Sequence, residues 1–377
     1  MNRQRIDLLD SFRFLAIMSV LLYHFTCRWS AQLPIANDYH DIFKYGYLGV
    51  NFFFIISGFV ISYTLENTDS LVSFFKNRFI RLFPPLLLCT LLTFWVASTL
   101  DKDGLFPYAR QPRDLLPSLT MINPNIWKGL AGGNFAWING SYWSLWVEMQ
   151  FYALSSAIYF LDKRHFFRNM LLASIALCII KYIPGIVLNS HWGSQLPPRA
   201  TSLLTGWAYA DELFNIVFYI LWFTLGVIFY HMYKRFPFRA NPWLFPCIGI
   251  VLYLLYSDRF VYSPWVLHVV VAVLFGLLIY KKKYLSFLDI PFIRRVGVIS
   301  YSIYLIHEVI GVILVSRFGG YLGWSPLLPF LVIGLAILFA ELSYRLYEKK
   351  VAVFLKKFLF RPKAPVEPVA AGPIAGN

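Results

Sequence analysis

The chain is predicted to be all-α: a polytopic membrane bundle of about ten transmembrane helices with both termini in the cytoplasm. Three observations predict this. The 377 residues are 58% hydrophobic and only 14% charged, with a mean hydropathy of +0.59, more apolar surface than a soluble domain of ordinary composition can bury. The apolar residues fall in long runs separated by short charged stretches, and in lipid each backbone polar group must be satisfied within its own segment, so the runs are helices. Lys and Arg are distributed unevenly between alternate connections.

The runs follow in order. The first, about 11–27, carries Arg13 and His24; Asp7, Asp10 and Arg13 break the pattern of a cleavable signal, so a retained helix is expected. The second spans 45–65. A basic aromatic stretch, 70–81, leads into the third, 82–99, where Pro84-Pro85 marks a helix start. After the connection 99–141 comes the fourth, 142–161, with Glu148. The fifth, 169–188, holds Lys181, expected to snorkel outward. The sixth is 213–231. The seventh, 242–257, is short and interrupted by Pro246. The eighth, 264–280, holds His268, read as structural. The ninth, 297–316, holds His307. The tenth, 324–345, holds Glu341, four residues from Arg345 and so placed for an ion pair. One bundle domain, 1–360, is followed by a tail, 361–377, rich in Pro, Ala and Gly and expected to be disordered.

With a cytoplasmic N-terminus, the inner segments hold Arg3 and Arg5, the clusters Lys76–Arg81, Lys163–Arg168 and Lys234–Arg239, then Lys281–Lys283, Arg294, Arg295 and the basic C-terminal stretch. Outer connections hold isolated cations such as Arg28, Arg199, Arg259 and Arg317. This bias sets the orientation. It also accounts for the net charge of +15 without nucleic acid, leaving anionic lipid headgroups as partners. Cys27, Cys89, Cys178 and Cys247 lack metal-ligand spacing and form no disulfide framework.

Arg13 and His24 are the most informative pair. Eleven positions apart, they share one helix face, roughly 16 Å apart along the axis. An ionisable group in a bilayer costs about 2.5–3.5 kcal/mol or more, so two on one face suggest a polar pathway. Singly, each has a bland reading: a snorkelling arginine and a satisfied core histidine. His24, His307 and Glu148 fall at similar depth, between midplane and outer third. They suit a proton-handling cluster, a charge-compensated structural network or an ion pathway. Arg78 and Arg81, three apart, project from one helical face and suit phosphate oxygens; beside a membrane such a stretch also serves as a headgroup anchor. Trp127, Trp137, Trp143, Trp192 and Trp207 offer aromatic faces for a sugar or for the membrane interface. The sequon Asn139-Gly140-Ser141 abuts a helix start and is read as incidental.

At this point the residues carry a resemblance. The Arg13–His24 spacing, YGYLGVNFFFIISGFVIS (45–62), RFIRLFPP (78–85), YWSLWVEMQFY (142–152), ISYSIYLIHEVIG (299–311) and SYRLYEKK (343–350) together resemble the integral-membrane acyltransferase family 3. Met149 departs from the second acidic residue many relatives carry there. The resemblance implies an O-acyltransferase, acetyl by default, of a bacterial inner membrane. It would move an acyl group from cytoplasmic acyl-CoA, a substrate and not a resident cofactor, to a hydroxyl of a lipopolysaccharide, exopolysaccharide or lipo-oligosaccharide. Arg78 and Arg81, with Arg13, would hold the donor's phosphates, and Ser57-Gly58 would allow its arm a close approach. His24 would be general base or, as a second variant, an acyl carrier. Glu148 would orient His24, and His307 would assist acceptor or thioester. With no hydrolase-like domain after the bundle, transfer is expected to finish on the membrane domain or a separate partner. A proton-coupled transporter remains the competing reading, although paired broken helices and repeated halves are not evident in the sequence.

Overall fold

The computed structural model describes residues 6–33, 39–191, 195–235, 244–257 and 264–360. Arg3, Arg5, Trp192, Arg239, Arg259 and the tail 361–377 lie outside them, as does the side chain of Trp207. The described residues form helices and connections with no strand. The helices are α1 (Leu8–Tyr23), α2 (His40–Phe43), α3 (Gly49–Glu66), α4 (Leu71–Leu100), α5 (Leu115–Thr120), α6 (Pro124–Ala131), α7 (Trp143–Leu161) and α8 (Phe166–Leu188). They continue as α9 (Pro198–Leu213), α10 (Ile216–Arg235), α11 (Leu244–Ser257), α12 (Trp265–Tyr280), α13 (Pro291–Ile306), α14 (Val309–Gly319), α15 (Leu328–Ser343) and α16 (Lys349–Leu359).

Six helical stretches among the described residues are long and apolar enough to cross a membrane, or eight if each of two bent pairs is one span. The chain is an integral membrane protein. The expected ten runs differ from this count for physical reasons. The fourth run is helical as α7, but its Trp, Tyr, Ser, Gln and Glu residues dilute its apolar character. The seventh yields only the 14 residues of α11. The eighth run ends in a 117° bend after α12, and the ninth is broken into α13 and α14, which meet at 72°. The third begins earlier than expected: Ser70 caps α4 by accepting a hydrogen bond from Ser73 N at 3.2 Å, and Pro84-Pro85 lies inside the helix, not at its start.

Two close helix contacts set the frame. A Cβ at Gly58 would run into the Phe223 carbonyl, and one at Gly226 into the Ile55 carbonyl, so paired glycines bring α3 and α10 backbone to backbone. Gly297 does the same for α13 against the Asp10 backbone of α1. Aromatic rings fill the space around these seams: Phe223 stacks on Phe151 at 4.1 Å and on Phe54 at 4.6 Å, and Phe229 on Phe275 at 4.5 Å. Small residues at the seam and large ones beside it are how helices associate where lipid competes for every apolar surface. Lys181 is buried, with its Nζ beside the Phe218 ring, 5.0 Å from its centroid. His268 is buried and stacks on Trp222 at 5.7 Å, in keeping with a structural role. Glu341 pairs with Arg345 as expected, and also with Arg295 at 2.6 Å.

Candidate active site

A broken helix builds the first part of the site. Between α13 and α14 the ladder stops, so the Tyr304 and Leu305 carbonyls lose the partners a continuous helix would provide. Backbone breaks at membrane depth persist only where side chains satisfy the freed groups. The Tyr304 carbonyl accepts from His307 Nδ1 at 2.6 Å. The Leu305 carbonyl accepts from Asn139 Nδ2 at 2.9 Å and from the Tyr142 hydroxyl at 3.2 Å. The segment before α7 is thereby pinned to the bend, and the Asn139-Gly140-Ser141 stretch is a structural clasp.

That clasp positions an acid. Glu308 Oε2 accepts from Ser141 N at 2.7 Å, at the turn Gly140–Tyr142 that opens α7, and Gly140 leaves room for the carboxylate. Glu308 Oε1 lies 3.9 Å from His24 Nε2. On the other side, α1 passes at His24 into a five-residue π turn, His24–Arg28, a distortion frequent at functional sites. The His24 and His307 rings meet edge to face with centroids 4.6 Å apart.

The hydrogen bonds fix both tautomers. A carbonyl has no proton to give, so His24 Nδ1, 2.9 Å from the Val20 carbonyl, carries the ring proton, and so does His307 Nδ1. In the neutral rings both Nε2 atoms therefore present lone pairs. His307 Nε2 is buried with no hydrogen-bond partner among the described residues. The connection after α4 folds towards the same carboxylate: the Tyr108 phenol is pushed up to about 12, first by burial and then by the Glu308 charge, with Arg28 opposing.

The second part is a cavity of about 340 Å³. Arg13, Ser57, Arg78, Arg81 and Glu148 all line it. Arg78, 6% exposed, donates from Nη2 to Thr64 Oγ1 at 2.7 Å and lies against the Phe74 and Tyr152 rings. Its Nε and Nη1 have no partner among the described residues. Arg13 pairs with Asp10 at 2.6 Å. Glu148 accepts from Ser57 Oγ at 2.9 Å and from the Tyr152 hydroxyl.

Tyr304 joins the two parts. Its ring lines the cavity together with Ser144, its hydroxyl is 2.8 Å from the Ser144 hydroxyl, and its carbonyl holds His307. The two parts differ in kind. The cavity holds three arginines, two nitrogens of which have no partner among the described residues, beside the carboxylates Asp10, Glu148 and Glu348. The other part holds two histidines with Glu308. Such an arrangement can hold an anion at one end and accept a proton at the other.

Several expected residues sit differently. The carboxylate facing His24 is Glu308; Glu148 is instead engaged by Ser57 and Tyr152 on the cavity wall. Gly58 makes its close approach to α10, leaving Ser57 alone of that pair in the cavity lining. Trp143 packs within the bundle against Tyr219 at 5.0 Å. Trp127 donates to Thr120 Oγ1 at 3.2 Å. Trp137 lines a shallow surface depression with Phe135, Asn123 and Asn125. Sequence reasoning missed Glu308, although a glutamate in an apolar run beside His307 carries the same energetic signal that drew attention to Glu148. It also missed Tyr152, Tyr304 and Glu348, the last a cavity-lining carboxylate that accepts from Ser302 at 2.7 Å and Ser343 at 2.6 Å.

Helical breaks that carry ionisable groups, beside a cavity lined by arginines and carboxylates inside an apolar bundle, define an integral membrane protein with charged groups buried among its helices. Residues 6–344 match the acyltransferase domain family model, and the chain belongs to that family. It is similar to O-acetyltransferase OatA of Staphylococcus aureus, for instance of strains NCTC 8325 and COL, at 27% identity over 94% of this chain and 58% of the relative. The chain therefore spans a little over half the length of these curated relatives. No solved structure matches it.

Proposed function

We propose that this chain transfers an acyl group, acetyl in the first instance, from acyl-CoA to a hydroxyl of a cell-surface or exported glycan. The observation that carries this reading is the joining of an arginine-lined cavity to the His24–His307–Glu308 centre through Tyr304. Membership of the acyltransferase domain family and the names of the relatives support the acyl-transfer part.

In this reading the donor enters from the cytoplasmic side with its phosphates on Arg78, Arg81 and Arg13. Guanidinium groups present planar, multidentate donors to phosphate. The pantetheine arm lies in the cavity beside Ser57 and brings the thioester towards Tyr304. The acceptor oxygen attacks the thioester carbonyl carbon, and its proton passes to His24 Nε2. Collapse of the tetrahedral adduct breaks the C–S bond, and the departing thiolate takes the proton back from His24. The products are an O-acyl ester and CoA.

Glu308 favours His24 over His307 as the base. Opposite charges about 4 Å apart attract by about 4 kcal/mol at an effective dielectric of 20, which stabilises an imidazolium as it forms. His307, whose only ring proton is committed to the Tyr304 carbonyl, has no proton to offer a carbonyl oxygen. Its free Nε2 instead accepts from a neighbouring hydroxyl of the acceptor sugar and orients the ring, leaving the reacting hydroxyl's single proton for His24. Glu308 is then a positioning residue and Glu148 a wall group that orders Ser57 and Tyr152.

Membranes from a host expressing the chain, supplied with acetyl-labelled acetyl-CoA, should incorporate label into the glycan fraction as alkali-labile ester. Membranes lacking the chain should not. Equal incorporation in both would sink the reading, and labelled-solute uptake without ester formation would favour a transporter.

A further inference from the structure

We infer that a second chamber behind the arginines is the subsite for the adenine base of the acyl-CoA donor; this rests on the donor reading above. The chamber, about 260 Å³, shares Asp10, Arg13, Arg78 and Arg81 with the main cavity. Its remaining walls include the aromatic rings of Phe59 and Tyr63 and Thr64 from α3, Asn77 from α4, and the aliphatic Ile6 and Leu9.

The order of these environments matches the order of groups in CoA. The second chamber shares its arginines with the main cavity, and Tyr304 in the lining of that cavity holds His307 of the histidine centre. CoA presents a purine, its phosphates, a pantetheine arm and a thioester. The arginine partition also lacks enough protein partners: Arg78 is buried, yet Nε and Nη1 find none among the described residues, while Nη2 is held by Thr64, itself a residue of the second chamber's wall. Buried guanidinium nitrogens left open between two chambers suit an anion that bridges them. The separation is right as well. Arg13 and His24 lie roughly 16 Å apart along α1, comparable to an extended pantetheine arm.

Within the chamber, Tyr63 supplies a ring face, and aromatic rings stack on a base whatever its identity. Asn77 supplies a donor and an acceptor on one amide, the pattern that pairs with the N6 and N7 edge of adenine. Phe59, wholly buried, adds a second aromatic ring to the lining. Tyr63 thus contributes affinity for any purine, and Asn77 the preference for adenine.

The test measures binding of CoA and of phosphopantetheine, which keeps the arm and one phosphate but lacks the adenosine, to the purified full chain in nanodiscs. Asn77→Ala and Tyr63→Ala should each weaken CoA about tenfold and leave phosphopantetheine unchanged. Tyr63→Phe, which keeps the ring, should bind CoA as the wild type does. Equal weakening of both probes would overturn the inference, because the substitutions would then be acting on the cavity as a whole. Unchanged CoA affinity in the alanine variants would overturn it and leave the donor reading standing. A wild-type chain that binds neither probe would remove the donor reading, and the subsite with it.

Discussion

The arginine end and the histidine end of the site are built in opposite ways. Arg78 and Arg81 sit on α4, an unbroken helix of 30 residues, and one turn of regular geometry brings them to the same cavity. His24, His307 and Glu308 come together only because two helices depart from regularity, α1 through its π turn and the ninth run through its 72° bend. In the proposed reading, regular structure would suffice to hold a flexible anionic ligand, since guanidinium groups on long side chains adapt. Proton transfer in that reading would demand placement within about 0.5 Å, and the groups at this end are held by clasps: Asn139 on Leu305, Ser141 on Glu308, and the Tyr304 carbonyl on His307.

This contrast predicts that substitutions at the two ends separate rate from binding. Removing the base in His24→Ala should lower glycan acylation by roughly 10²–10⁴-fold, with CoA affinity unchanged by calorimetry. Loss of CoA binding in that variant would mean that the two ends are not independent. Glu308→Gln keeps an acceptor for Ser141 N but removes the charge facing His24. Turnover at saturating donor should fall by about 10²-fold, near the figure for a 2–3 kcal/mol charged contact, again without a change in CoA affinity. Arg78→Ala should do the reverse, weakening CoA about tenfold or more while turnover at saturating donor stays within a few-fold of wild type. An Arg78→Ala protein with normal CoA affinity and poor turnover would erase the distinction.

Asn139→Ala tests the clasp itself. It leaves the buried Leu305 carbonyl with only the long bond from Tyr142, at a cost of about 1–3 kcal/mol of stability. A thermal-shift measurement should report a lower midpoint, with turnover falling and CoA affinity holding. An unchanged midpoint would mean that the bend does not depend on that bond. The smallest effect is expected far from both ends. The Asp162 carboxyl, exposed after α7, is held below the usual carboxylate range first by a hydrogen bond from the His165 side chain. A depressed carboxyl contributes stability above its unfolded value and loses it as pH falls through the folded value. Solvent screening makes that contribution minor. Asp162→Asn should leave acylation unchanged and shift the neutral-pH midpoint by no more than the scatter of replicate melts.

How much of this was legible follows from the same contrast. Arg13, His24, Arg78, Arg81, Glu148 and His307 stand out because a charged or ionisable group in an apolar run demands a reason, and the structure brings Arg13, Arg78, Arg81 and Glu148 to one cavity and the two histidines into contact. The pairing of acid with base was not legible. Glu148 and His24 sit at similar computed depth, but depth says nothing about which helix faces which, and α7 turns its carboxylate towards α3 instead. The bend at His307 was equally hidden, since ISYSIYLIHEVIG contains no proline and its glycine, Gly311, lies past the break. The count of membrane spans suffered from the same blindness, because hydropathy registers an apolar run whether it continues straight or turns back. Gly58 misled for another reason: a glycine allows close approach without saying to what, and here the neighbour is the α10 backbone.

The central claim is that His24 is the base on which transfer depends. The most direct test is O-acetyl content of surface glycan by NMR in cells with wild type, His24→Ala or no protein, at equal membrane levels of the two proteins. The account predicts acetylation with wild type and a fall to the no-protein background with His24→Ala. Acetylation persisting at wild-type level in His24→Ala would contradict it and move the chemistry away from the first helix.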